Sequence, residues 1–198
     1  MTTPVEQETA LKEIAFCEQV LAKSGLTVLS ETLRDVQQLV SWKNYPHGEV
    51  FDPASGAQWF YHSHHPSTTD GEHGHFHCFV RPDGREGPIH HLCAIGIDDH
   101  ARMTRLFTVN HWVVDDDWLT AEPTIELLRG FDVHMPRPNY LVNRWITAVL
   151  VAYEDLITDL VRQRDIAIKA HSPVDGSEPK LCKFLEVTSE HRFQNAAI

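Results

Sequence analysis

The sequence predicts an α+β fold: a central antiparallel sheet of about four strands, flanked by N-terminal helices and a long C-terminal helix. Three observations lead there. Apolar residues recur at helical spacing near both ends of the 198-residue chain, the middle alternates with a period of two, and Pro/Gly clusters separate the alternating runs.

Over residues 6–23, Leu11, Ile14, Ala15, Val20 and Leu21 recur at mostly helical spacing, and Ser24-Gly25 supplies a stop. A second helix is expected over 30–42, with Ser30 as N-cap and Leu33, Val36, Leu39 and Val40 on one face. Pro46 and Gly48 break that pattern. Residues 58–64 and 74–80 then form a β-hairpin around a loop at 66–71. Strands follow at 91–97 and 106–114, joined by a turn at 98–102. After Pro136 and Pro138, the residues Trp145, Ala148, Val149, Ala152, Leu156, Ile157 and Leu160 keep spacings of three and four, which makes 139–169 one long helix. A short helix at 124–130 and an edge strand at 183–188 complete the reading. With no internal repeat or linker, residues 1–198 read as a single domain: N-terminal helices at 1–44, a histidine-rich sheet at 57–114 and the long helix at 139–171.

Seventeen Lys and Arg against 28 Asp and Glu give a net charge of −11, and the basic residues are scattered. Such a field repels phosphate backbones, so no nucleic-acid partner is expected. No leader-like N-terminus and no long apolar stretch is present, so a soluble, cytoplasmic protein with no membrane span is expected. Cys17, Cys78, Cys93 and Cys182 form no CxxC and are read as reduced, buried thiols. The acidic run Asp115-Asp116-Asp117 is read as a solvated cap.

The distinctive feature is histidine. Residues 62, 64, 65, 73, 75, 77, 90 and 91 hold eight of the fourteen. In a strand, side chains two apart share a face, so His62 and His64 project together, as do His73, His75 and His77. A loop centred near Thr69 pairs His62 with His77 and His64 with His75, with opposed Cβ atoms roughly 4.5–5.5 Å apart. Neutral imidazole is the commonest ligand of divalent transition metals, and Zn, Fe, Ni or Cu each accept three or four such nitrogens. His62, His64, His75 and His77 are therefore candidate metal ligands, with His91 completing the shell from the next strand. Glu72 is a candidate further ligand or general base, and Arg81 a receptor for an anionic substrate. His65, beside the loop, reads as solvated. Tyr61, Phe76, Phe79, Trp112 and Trp118 are candidates to wall an apolar pocket, which also admits noncovalent haem held by one histidine.

Several resemblances accompany these residues. The pattern Tyr45-Pro-x-Gly48-x-x-x-Asp52, Tyr61-His-x-His64, Glu72-x-Gly-His-Phe-His77, His91-Leu-x-Ala-Ile95 and Leu106-Phe-Thr-x-Asn-x-Trp112 resembles an uncharacterised bacterial domain family of unknown function. It covers most of the chain and implies no activity. His73-Gly-His-Phe-His-Cys-Phe79 resembles the histidine-triad nucleotide-binding motif, which implies that His75 attacks an α-phosphate while the outer histidines orient it. The pattern departs from that motif at Gly74. His75-x-His77 is similar to the start of the cupin metal motif, but Arg81 and Pro82 stand where its Glu is expected. The leading expectation is a His-rich transition-metal-binding protein, and its finer form is a metal-dependent enzyme acting on a small molecule. A noncatalytic haem or metal module and a histidine-triad-like nucleotidyl hydrolase or transferase are the alternatives.

Overall fold

A computed structural model describes residues 2–64 and 71–194. His65 and most of the expected 66–71 loop lie outside the described residues. Helix α1 (Pro4–Ala22) starts at Thr3, whose hydroxyl accepts from the Glu6 amide at 3.3 Å while the Glu6 carboxylate accepts from the Thr3 amide at 2.7 Å. This reciprocal cap satisfies two otherwise free amides. The chain leaves the helix through Gly25 at φ +68°, as its position predicts.

The expected helix over 30–42 is only α2 (Val28–Thr32). Thr27 caps it, and Ser30 is the partner that accepts from the Thr27 amide at 2.8 Å. The apolar residues that follow mimic a helical period but belong to a strap of turns. In that strap Trp42 adopts φ +69° and its amide donates to the Ser63 carbonyl.

The sheet has six antiparallel strands, not four, and their spatial order is their order in sequence: β1 (Tyr45–Phe51), β2 (Ala57–His62), β3 (Gly74–Val80), β4 (His90–Ile97), β5 (Met103–Val109) and β6 (Val187–Arg192). Pro46 and Gly48 hide β1 from a pattern reading. As an edge strand it tolerates Pro, and its pairing with β2 is irregular between Tyr45 and Val50. The expected 106–114 strand stops at Asn110, whose side chain accepts from the His111 amide and opens the one-turn helix α3 (His111–Val114). β6 overlaps the expected 183–188 strand only at its end.

After α4 (Ala121–Leu128), the expected single long helix is two, α5 (Tyr140–Ala152) and α6 (Glu154–Ala170), broken at Tyr153 with φ −112° and ψ +21°. The spacing of three and four runs through the break, so periodicity cannot reveal it. One face of the sheet sends Trp59, Tyr61, Phe76, Cys78, Cys93 and Ile95 into the main core, where Trp145, Val149, Ile157 and Val161 meet them. The other face carries a smaller apolar cluster of Ala94, Phe107 and Val109, covered by Val113, Val114 and Val187. All four cysteines are buried and free. Among the described residues, no helix is long and apolar enough to cross a membrane.

Asn143 ties these layers together. It is fully buried; its Oδ1 accepts from Trp59 Nε1 at 2.9 Å, and its Nδ2 donates to the carbonyls of Met135 and Arg137 at 2.7 and 3.0 Å. Asn143→Ala strands one indole N–H and two carbonyls in the interior, at about 1–3 kcal/mol for each unsatisfied group. Urea denaturation is expected to show a loss of about 3 kcal/mol or more with an unchanged m-value. A loss below about 1 kcal/mol would show that the three bonds do not hold the layers.

Candidate metal centre

The histidines converge because the β2–β3 register keeps their parity. His62 opposes His75 and Phe60 opposes His77, two residues away from the pairing expected from the loop centre. A slip of one residue would have separated the histidines onto opposite faces, whereas a shift of two leaves them together. The ring centroids of His75 and His62 are 4.6 Å apart, and His64 lies 5.0 Å from both. His77 stands 4.8 Å from His75 and 5.0 Å from His62.

His91 joins them through a bulge. Cys78 pairs with Cys93 but Phe79 pairs with His91, so Leu92 is an extra residue in β4. Leu92 and Cys93 consequently both enter the core, and His91 turns to the histidine face, where its Nε2 lies 3.0 Å from His77 Nδ1. Strict alternation from Ile97, Ile95 and Cys93 would have sent His91 the other way.

Ring nitrogens of His62, His64 and His75 all lie within 4.8 Å of one another. Nε2 of His62 and Nε2 of His64 are 3.1 Å apart. Two nitrogens each about 2.0–2.1 Å from one ion sit roughly 2.9–3.4 Å apart at right-angled to tetrahedral geometry, so this separation suits a shared cation. His77 and His91 are outside that three-residue focus.

Glu72 lies beneath His75. Its Oε1 accepts from His75 Nδ1 at 2.9 Å, which leaves His75 Nε2 as the lone-pair nitrogen. Arg105 clamps the same carboxylate, with Nε 2.6 Å from Oε2 and Nη2 3.1 Å from Oε1; its Nη1 reaches Glu190 at 3.0 Å, and its guanidinium lies 3.9 Å over the Phe107 ring. Gly96 makes room for this pair, since a Cβ there would lie 2.4 Å from Glu72 Oε2 and 3.0 Å from Arg105 Cγ. Burial pushes the Glu72 carboxyl up, but the hydrogen bonds from His75 and Arg105 override it and hold its pKa at about 2.

Burial, reinforced by His75 and His64, drops His62 to about 3. Burial also takes His91 to about 4 and His77 well below the usual histidine range. These imidazoles are neutral at pH 7, the form that ligates metals.

Arg81 is not brought to the cluster. It follows the far end of β3, six residues or roughly 20 Å of extended chain from His75. There its Nε donates to Gln58 at 2.8 Å and its Nη1 to the Gly87 carbonyl. Of the expected aromatic wall only Phe79 faces the histidines, 6.2 Å from His77 and 5.0 Å from His91. Tyr61 and Phe76 belong to the opposite core, Trp112 donates to the Leu185 carbonyl, and Trp118 packs on His111. The wall is formed instead by Phe60, Phe107 and Trp42, the last stacked on His64 at 4.0 Å and 26° while 64% exposed. His73 leaves the group as well, its Nδ1 lying 2.6 Å from the Tyr61 hydroxyl. Asp116 is buried, not a solvated cap, and accepts from the His91 amide at 2.9 Å.

Arg105, Gly96, Trp42 and Asp116 escaped the sequence reading. The signal for two of them was present: the turn at 98–102 places Arg105 opposite Gly96, a long cation facing a residue without a side chain. Nothing local marks Trp42, which reaches the cluster by a left-handed backbone step.

An α+β protein with a meander sheet that carries a three-histidine focus on its outer face is thus the class defined by fold and site. The chain belongs to the family described as Domain of unknown function (DUF6969), which matches residues 8–193. No curated protein and no solved structure matches it.

The depressed histidines make stability depend on pH. In the unfolded chain each takes up a proton near pH 6.5, but in the folded protein only near 3 to 4, so the stability they contribute is complete above 6.5 and falls as pH drops towards 3. Metal-free protein is expected to lose about 1 kcal/mol per pH unit for each such histidine between pH 6 and 4. Denaturant midpoints that stay constant across that range would show the rings to be solvated.

Proposed function

We propose that this protein binds one divalent transition-metal ion, of the Zn, Fe, Ni or Cu group, through His62, His64 and His75, and uses it on a small molecule. The observation that carries this reading is the 3.1 Å approach of two Nε2 atoms within a set of three nitrogens no more than 4.8 Å apart. Burial keeps His62 uncharged, and the Glu72 carboxylate fixes the His75 ring from behind, an arrangement common around metal-bound histidines.

Glu72 is assigned to orienting His75 and not to proton abstraction. A carboxyl held near 2 and clamped by Arg105 is a weak base at neutral pH. When bound, the ion would supply Lewis acidity or lower the pKa of a bound water. The half-exposed Trp42–His64 stack and the rings of Phe60 and Phe107 give a small ligand an apolar wall beside the ion. An ion fits better than haem, because the nitrogens of three histidines share one focus, whereas haem held by one histidine would leave the other two unused. The nucleotidyl-transfer alternative loses its first outer histidine, since His73 is engaged by Tyr61.

Elemental analysis of protein purified without an affinity tag is expected to find about one ion per chain, absent from His62→Ala and His75→Ala. Glu72→Gln should fold and bind the ion about 10- to 100-fold more weakly. Adding metal at a hundredfold excess over its Kd should stabilise the stripped protein by about 2.7 kcal/mol. Melting curves that do not move with zinc, nickel, cobalt or anaerobic ferrous iron would overturn the assignment.

A further inference from the structure

A three-histidine ion leaves His77 unexplained. Its ring is fully buried, and among the described residues its Nε2 has no hydrogen-bond partner. Burying a nitrogen without a partner is unfavourable, and β3 places this one in the middle of the histidine face.

The two nitrogens of an imidazole leave the ring in divergent directions. Nδ1 of His77 is 3.0 Å from Nε2 of His91. His91 in turn sits opposite Phe79, two residues along β3 from His77 and on the side away from His75. With Nδ1 engaged there, Nε2 is the nitrogen left for the side where His62 and His75 stand, their centroids 5.0 and 4.8 Å away. His91 is not free to release the ring: the bulge fixes its place in β4, and Asp116 Oδ2 accepts its amide at 2.9 Å.

We propose that His77 is not a ligand of the ion but the hydrogen-bond partner of a small exchangeable ligand on it, water in the resting protein and small monoanions in its place. The proposal rests on the metal reading above. Three protein nitrogens leave a tetrahedral ion with one open position, and the three that share a focus are those of His62, His64 and His75, without His77. The partner of His77 also differs from that of His75. His75 Nδ1 faces a carboxylate, the usual support of a metal-bound imidazole, whereas His77 Nδ1 faces another neutral ring. A water oxygen both donates and accepts, so it satisfies His77 Nε2 in either tautomer. Phe60, Phe79 and Phe107 stand around His77 with ring centroids 5.2, 6.2 and 6.5 Å away, surroundings that favour a small exchanging ligand.

The test uses the full chain loaded with Co(II), whose visible spectrum reports its coordination, and titrates azide into the wild type, His77→Leu, His77→Gln, His91→Leu and His62→Ala. His77→Leu is expected to keep one cobalt per chain and to bind azide about tenfold more weakly, the equivalent of one lost hydrogen bond. His77→Gln, which retains a polar atom, should recover part of that loss, and His91→Leu should weaken azide to a lesser degree. Thermal melts establish that each variant is folded. Loss of cobalt from folded His77→Leu or His77→Gln, to the extent seen in His62→Ala, would make His77 a ligand and overturn the proposal. Superimposable azide titrations would overturn it too, while leaving the metal site intact. Wild-type protein that takes up no cobalt would overturn the metal reading itself, and this proposal with it.

Discussion

Removing imidazole nitrogens from water is the constraint around which this sheet is organised. Each ring carries a lone pair and an N–H, both of which water satisfies when the chain is unfolded. Folding packs His62, His75, His77 and His91 below the surface, and burial holds His62, His77 and His91 uncharged. Hydrogen bonds between rings satisfy some of these nitrogens, but imidazoles pair in chains that must end somewhere. Here one end is the Glu72 carboxylate and another is the Nε2 of His77, which has no hydrogen-bond partner among the described residues. A cation held at the His62–His64–His75 focus, as proposed above, would turn the cost of clustered lone pairs into coordination.

The rest of the fold holds that focus in place. Across the strands one row runs His62, His75, Gly96, Arg105, and a second runs Phe60, His77, Ala94, Phe107. His75 therefore has Gly96 beside it in the sheet and His77 has Phe60 and Ala94, and Arg105 reaches over Gly96 to grip the carboxylate that orients His75. On the reverse face Trp59, Tyr61 and Phe76 anchor the same strands in the helical core, with Asn143 bonding the Trp59 indole. Motion of the histidines relative to one another is thereby opposed from both sides of one sheet.

Much of this was legible because parity is a robust property of sequence. The one-face arrangement of His62, His64, His75 and His77 survived a register two residues away from the expected one, since the error was even. His91 came to the cluster through the Leu92 bulge, which period-two reasoning cannot foresee. Elements without a periodic signature were the ones missed: β1, with Pro46 and Gly48 inside it; the cut at Asn110, where a side-chain cap ends a run that reads as strand; and the break at Tyr153, where two helices share one apolar spacing. Contacts between distant segments, such as Trp42 on His64 or Asp116 on His91, have no local trace at all.

Gly96 gives the arrangement a length scale. An added methyl group at 2.4 Å from the Glu72 oxygen must open to about 3.4 Å before it reaches ordinary contact, so the carboxylate would have to retreat by roughly 1 Å. That displacement is twice the tolerance of about 0.5 Å within which a preorganised constellation keeps its geometry, and it would pass straight to the His75 ring through their 2.9 Å hydrogen bond. A position that restricts variation in this centre is therefore one that contributes no functional group. Its information lies in an excluded volume: a side chain at residue 96 would take the space that the Glu72–His75 support occupies.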